Sequence, residues 1–208
     1  MSVKKTQDGI WSNSPLLQVE NYYTLEPAVN RSKWFAEKLK KYDFSSIYEP
    51  GIFSGRNLKY IVDSFPEVRV GGFDINQTAL DFAKSKIPQA ELENIDFYEM
   101  PTDKKWDIVF TSGVLIHIVP EHIKNIVQKC IDKANKYVLH IEGCGNNRVL
   151  CGPDPKLKPL KVKDKFQWEP DIKKIYEELG YKVIMTELPD ELKTFGATHF
   201  IEVDLKGE

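Results

Sequence analysis

The residues best able to do chemistry sit where apolar runs end. Tyr48-Glu49-Pro50-Gly51-Ile52-Phe53-Ser54-Gly55-Arg56-Asn57 joins a strand-like run to a helix-like one. Glycines at such a junction let the backbone turn sharply and bring a ligand close to the main chain. A dinucleotide fingerprint G-x-G-x-x-G starting at Gly51 would need glycine at 53 and 56, which are Phe53 and Arg56. The pattern acid-x-Gly-x-x-x-Gly is met instead by Glu49, Gly51 and Gly55. Nineteen residues after Gly55, Asp74 ends the run GGFDIN, a position from which a carboxylate accepts hydrogen bonds from ribose hydroxyls. Together these residues describe a nucleoside site, although Asp74 is also placed as a strand-terminal turn residue ahead of a helix capped by Asn76.

Two further candidates lie downstream. Glu142 ends YVLHIE at the edge where sites of open α/β sheets collect, so a substrate-facing role stands beside simple solvation. His117, in the apolar run VLIHI, is either a base or substrate ligand, or a histidine packed under the sheet edge. His140 and His199 alternate with apolar residues and read as structural, and His122 as a solvated helix start. His117 and His122 are five apart, off a common helical face, and no Cys and His cluster has zinc spacing, so metal independence is expected. Nothing matches a serine nucleophile elbow, a Walker loop or a kinase set. Lys156 to Lys165 reads as a solvated loop.

These residues need a scaffold, and the hydropathy pattern supplies one. A helix is expected from Glu26 to about Tyr42, with Glu26 and Pro27 at its start. Strand-like and helical runs then alternate: 46–49, 56–65, 68–74, 77–86, a weak strand near 90–95, then 106–111, 121–134 and 137–142. That alternation means βαβ units and five parallel strands. Residues 143–169 have no clear period and read as an irregular excursion or substrate lid. After a helix near 171–179, the strands 181–188 and 198–205 are joined too closely for a parallel crossover, so they pair as an antiparallel hairpin and the sheet ends mixed.

Composition bounds the function. The 208 residues suit one domain, divided into an N-terminal helical lid region (1–44), a binding core (45–142) and a substrate-side connection with the C-terminal hairpin (143–208). With 41% hydrophobic and 29% charged residues the chain can bury a core, which excludes disordered architectures. A net charge of −2 provides no field to hold a phosphate backbone or an anionic membrane, so nucleic acid is disfavoured as a partner. Cys130, Cys144 and Cys151 form no disulfide framework, which fits a reducing cytoplasm. The stretch MSVKKTQDGIWSNS lacks a signal-peptide apolar region, and the uncharged run 108–120 is too short to span a bilayer; a soluble, cytoplasmic protein is expected.

With these residues in hand, the sequence resembles the class I S-adenosylmethionine-dependent methyltransferases, well over about residues 45–142 and by topology elsewhere. The resemblance implies a Rossmann-like α/β fold, a seven-stranded mixed sheet with an antiparallel last strand and helices on both faces, and S-adenosylmethionine as cofactor. Glu49, Gly51 and Gly55 match the first family motif, whose loop lies against the methionine part. Asp74 matches the acid that holds the ribose, and Asp96 in NIDFYEMP the acid that contacts the adenine amino group, with Phe97 beside the ring. WDIVFTSGVLIHI matches the fourth motif, with Asp107 opening the strand and Thr111, Ser112 and Gly113 near the methyl donor. The run TSGVLIHI with Glu142 looks most like methylases associated with pseudaminic-acid and related sugar pathways. One departure is Phe53, in place of the middle glycine of the usual G-x-G-x-G; a second is WSNSPLLQVENYYTLEP, which matches no motif and offers Tyr22 and Tyr23 as lid candidates.

The resemblance implies transfer of a methyl group to a small polar metabolite such as a sugar or nucleotide-sugar, with Glu142 or His117 as base if the acceptor is a hydroxyl. Two rivals stand beside it. One is a methyltransferase for protein or nucleic acid, for which the Asn/Asp-Pro-Pro-Tyr and Pro-Cys motifs are absent. The other is a non-catalytic nucleoside-binding module of the same fold, which Phe53 keeps open. The sequence is silent on oligomeric state.

Overall fold

A computed structural model describes residues 11–145, 147–151, 167–194 and 196–207. Strands β1 (Ser46–Pro50), β2 (Arg69–Asp74), β3 (Glu91–Asn94), β4 (Trp106–Ser112) and β5 (Ala134–Glu142) run parallel. Two C-terminal strands, β8 (Val183–Glu187) and β9 (His199–Asp204), complete a seven-stranded sheet of order β3-β2-β1-β4-β5-β9-β8. β9 is antiparallel to both β5 and β8, so the close link between the last two strands makes the expected hairpin, and the second of them enters the sheet interior. The sheet thereby has the seven-stranded mixed topology that the resemblance implies.

Period-2 alternation sends neighbouring residues to opposite faces of a doubly covered sheet. Tyr48, Val109, Val138 and Val203 join Trp106, Trp168 and Tyr176 on one side, packed under helix α5 (Pro120–Lys133) and helix α6 (Ile172–Glu178). Ile47, Ile108, Phe110 and Leu139 face the other side, under α2 (Glu26–Leu39), α3 (Arg56–Ser64) and α4 (Gln77–Lys86). Both layers are buried, and each fully covered large side chain contributes about 1.5–3 kcal/mol. The helix starts obey local chemistry: Pro27 and Pro120 sit in first turns, and the Asn76 side chain accepts from the Ala79 N–H as the cap of α4.

Two regions differ from the sequence expectation. Helix α1 (Leu16–Thr24) has only Val19 buried, too little apolar periodicity to announce itself. The 143–169 excursion contains a two-stranded antiparallel ribbon, β6 (Arg148–Cys151) with β7 (Gln167–Glu169); the lysine-rich stretch expected to be a solvated loop lies outside the described residues. Cys130 is buried and Cys144 half-buried, both as free thiols. Among the described residues no helix is long and apolar enough to cross a membrane.

Candidate functional site at the carboxyl edge

β1, β2 and β4 end at one edge, and their last residues with the following turns surround a cleft of about 1000 Å³, open mouth included. Its floor is the β1–α3 turn. Gly51 has φ +71°, and a Cβ there would stand 2.7 Å from Val114 Cγ2, so only glycine lets this turn pass beneath the β4 turn. Gly55 (φ +74°) caps α3, and its missing side chain lets the helix approach Ala83 of α4. The turn is further held by the Gly51 and Ile52 N–H groups, both donating to the Phe73 carbonyl at 2.9 Å.

Phe53 takes a left-handed conformation, φ +45°, which costs a non-glycine residue about 1–2 kcal/mol. Its ring is directed to the N-terminal segment, edge-on to Trp11 (6.0 Å) and Tyr22 (5.4 Å), and lines the cleft. Tyr22 is latched from below. The Arg56 guanidinium stacks 5.0 Å from its ring, donates to its carbonyl, and also donates to Ser32 Oγ. Asn76 Nδ2 holds the carbonyls of Trp11 and Ser14, so the segment closing the cleft is fixed at both ends.

The carboxylates expected at the site converge there, with one exception. Glu49 is 1% exposed; its Oε1 accepts from Asn57 Nδ2 at 2.6 Å, and its buried Oε2 has no hydrogen-bond partner among the described residues. Asp74 Oδ2 accepts from the Phe53 N–H at 2.8 Å and Oδ1 from the Asn76 N–H at 2.9 Å, leaving part of its acceptor capacity toward the cleft. Asp96 caps a single 3₁₀ turn through the Tyr98 N–H, and Phe97 packs on Phe73; both line the cleft, as does Ser112. His117 also lines it, its ring 4.8 Å from Trp11. Glu142 does not. It is fully buried beneath the β4 turn, where Oε1 accepts from Thr111 Oγ1 and the Val114 N–H and Oε2 from the Leu115 N–H. The expected substrate-facing side chain is instead a bracket for the turn, because the parity of β5 puts Glu142 on the inner face with His140.

Of the two lid candidates Tyr22 lines the cleft while Tyr23 packs on Phe82; Trp11, Arg56 and Asn57 also line it and have no role in the sequence reading. The last two follow Gly55 directly and so fall on the first turn of α3 at the cleft, a signal the glycine spacing contained. Trp11 is tied in only by tertiary contacts. Among the described residues no group of three or more His, Cys, Asp or Glu is placed to hold a metal.

Burial dominates the protonation of three of these acids: Glu49 is pushed up to about 8, Glu142 to about 7 and Asp74 to about 6, against the hydrogen bonds each accepts. Each binds its proton more tightly folded than unfolded. The stability they contribute is therefore complete below the ordinary carboxyl range and is lost as pH rises through these values. The thermal midpoint of the ligand-free protein is expected to fall between about pH 5 and pH 8; a midpoint rising steadily across that window would contradict the burial of these groups.

Residues 47–135 match the profile of a family described as methyltransferase domain. That stretch runs from β1 to the start of β5. Its fold is similar to magnesium protoporphyrin IX methyltransferase (ChlM) from Synechocystis PCC 6803 with bound SAH, at 17% identity and TM-score 0.64, covering 85% of this chain and 80% of that one. DesVI from Streptomyces venezuelae aligns at 11% identity and TM-score 0.66 over 92% and 98% of the two chains. The DhpI–SAH complex aligns at 12% and TM-score 0.69 over 97% and 96%. At these identities the likeness is one of fold.

Proposed function

We propose that the cleft holds S-adenosylmethionine and that the acceptor is a small polar metabolite, a sugar or nucleotide-sugar, entering beside Trp11, Tyr22 and Phe53. The observation that carries this reading is the buried Oε2 of Glu49 on the cleft wall, without a hydrogen-bond partner among the described residues, where a cationic donor such as the cofactor's ammonium group would stabilise the carboxylate that burial otherwise keeps protonated. Asp74 would hold the ribose hydroxyls through the acceptor capacity left after its two backbone bonds. Asp96 and Phe97 would meet the adenine, while Gly51, Gly55 and Ser112 would leave room along the methionine part.

When bound, the sulfonium supplies an electrophilic methyl group. The protein's work is then orientation and exclusion of water, which the closed N-terminal segment and the apolar wall favour. Trp11, Tyr22 and Phe53 provide an apolar wall, and His117 and Arg56 polar groups, so a ring with one apolar face and several hydroxyls meets both. His117 is the side chain on this wall suited to take the proton of an attacking hydroxyl; Glu142, with both oxygens engaged under the turn, is not.

The test is release of S-adenosylhomocysteine on incubation with S-adenosylmethionine and panels of sugars and nucleotide-sugars, peptides, or oligonucleotides. Turnover confined to the first panel is expected, and turnover confined to peptides or oligonucleotides would overturn the substrate class. With an active acceptor, His117→Ala should lower kcat by about 100-fold or more while leaving S-adenosylhomocysteine affinity unchanged. An unchanged kcat would remove His117 from the chemistry.

A further inference from the structure

Four polar side chains lie in line along one face of the sheet, none of them solvent-exposed: Glu142, Thr111, His140 and Tyr176. Thr111 Oγ1 is 2.7 Å from Glu142 Oε1 and 2.8 Å from His140 Nδ1, and His140 Nε2 is 2.7 Å from the Tyr176 hydroxyl. They belong to β5, β4, β5 and α6, so the chain crosses from the cleft edge to a helix on the outer layer.

The positions of the hydrogens follow from counting. Glu142 receives the backbone N–H groups of Val114 and Leu115, which can only donate, and once ionised, above the pH of about 7 to which burial lifts it, it can only accept. The single Thr111 hydroxyl hydrogen therefore points at Glu142. Thr111 Oγ1 then accepts from His140, which fixes the imidazole proton on Nδ1. Nε2 is left as an acceptor, and the Tyr176 hydroxyl donates to it. In the opposite polarity the Tyr176 hydrogen would have no acceptor among the described residues, a buried donor left unmet. Burial, which holds the His140 imidazole neutral, agrees with one proton on that ring.

We infer that Tyr176, His140 and Thr111 form a one-directional hydrogen-bond chain that fixes the Glu142 carboxylate, and that Glu142 in turn is a positioning residue for the cleft segment 112–117. The segment carries Ser112, Gly113, Val114 and His117 of the cleft wall, and Val114 also rests where a Gly51 Cβ would stand. A shift of the Val114 and Leu115 amides therefore moves both the cofactor-side turn and the base-side histidine. The inference rests on the cleft being the methyl-transfer site, and it places part of that site's order in α6, outside the matched segment.

Long-range nitrogen–proton NMR of the full chain labelled with ¹⁵N-histidine reads the tautomer directly. The His140 ring is expected as the neutral Nδ1–H form, and an Nε2–H form would overturn the chain. Thr111→Val keeps the shape and removes the hydroxyl, and Thr111→Ser restores it. The valine variant is expected to speed hydrogen exchange at Val114 and Leu115 relative to the rest of β4 and to weaken S-adenosylhomocysteine binding about tenfold, with serine recovering most of both. Exchange and affinity unchanged in the valine variant would overturn the positioning role. Should that variant fail to fold, the wild-type tautomer still decides. Binding of S-adenosylhomocysteine to the wild-type protein separates failure of this inference from failure of the cleft assignment.

Discussion

Gly72→Ala is expected to lower stability by about 3 kcal/mol, or roughly 6–12 °C in Tm for a chain of this size. Gly72 lies in the middle of β2, paired with Glu49 of β1, and a Cβ built on it would stand 2.4 Å from the Glu49 carbonyl oxygen. A backbone oxygen cannot rotate away as a side-chain tip can. β1 must move, and with it the residue whose carboxyl group faces the cleft, so loss of S-adenosylhomocysteine affinity should accompany the loss of stability. Thermal scans with and without the ligand check both, and a variant with wild-type Tm would mean the two strands are not in this register.

Asp74→Ala is expected to weaken binding of S-adenosylhomocysteine roughly 5- to 150-fold, corresponding to about 1–3 kcal/mol for hydroxyls left without an acceptor. The carboxylate does a second job that alanine also ends, since it accepts the Phe53 N–H and the Asn76 N–H. Phe53 is already in the left-handed region, and losing that hydrogen bond should free the turn as well as the ligand. Asp74→Asn keeps an acceptor oxygen and should fall between wild type and alanine. Affinity indifferent to both changes would take Asp74 out of the site.

Much of the scaffold was legible because its strands are doubly covered: short apolar runs between helical periods can form little besides a parallel sheet. Asn76 was readable as a cap and Asp74 as a strand-end acid for the same local reasons, and both stand where those reasons put them. Helix α1 was not readable, since Val19 is its single buried side chain and the segment is held by the Arg56 and Asn76 contacts. The β6–β7 ribbon is too short to show alternation. β5 begins at Ala134, earlier than expected, because α5 runs directly into it and a register shift between Trp106 and Ile108 absorbs the junction. Glu142 shows the limit most clearly. Its place at the carboxyl edge follows from the strand's length and its face from the parity it shares with His140, but the amides at 114 and 115 that engage it under the turn are announced by no residue type.

The most direct test is calorimetric titration of the folded protein with S-adenosylmethionine and S-adenosylhomocysteine, with NAD and ATP as controls. Binding of the first two with Kd on the order of micromolar, and of neither control, is the expected result. A folded sample that binds neither sulfur nucleoside would contradict the assignment of Glu49 and Asp74 to the cofactor and leave the aromatic wall around Phe53 as a closed cover over an inactive cleft.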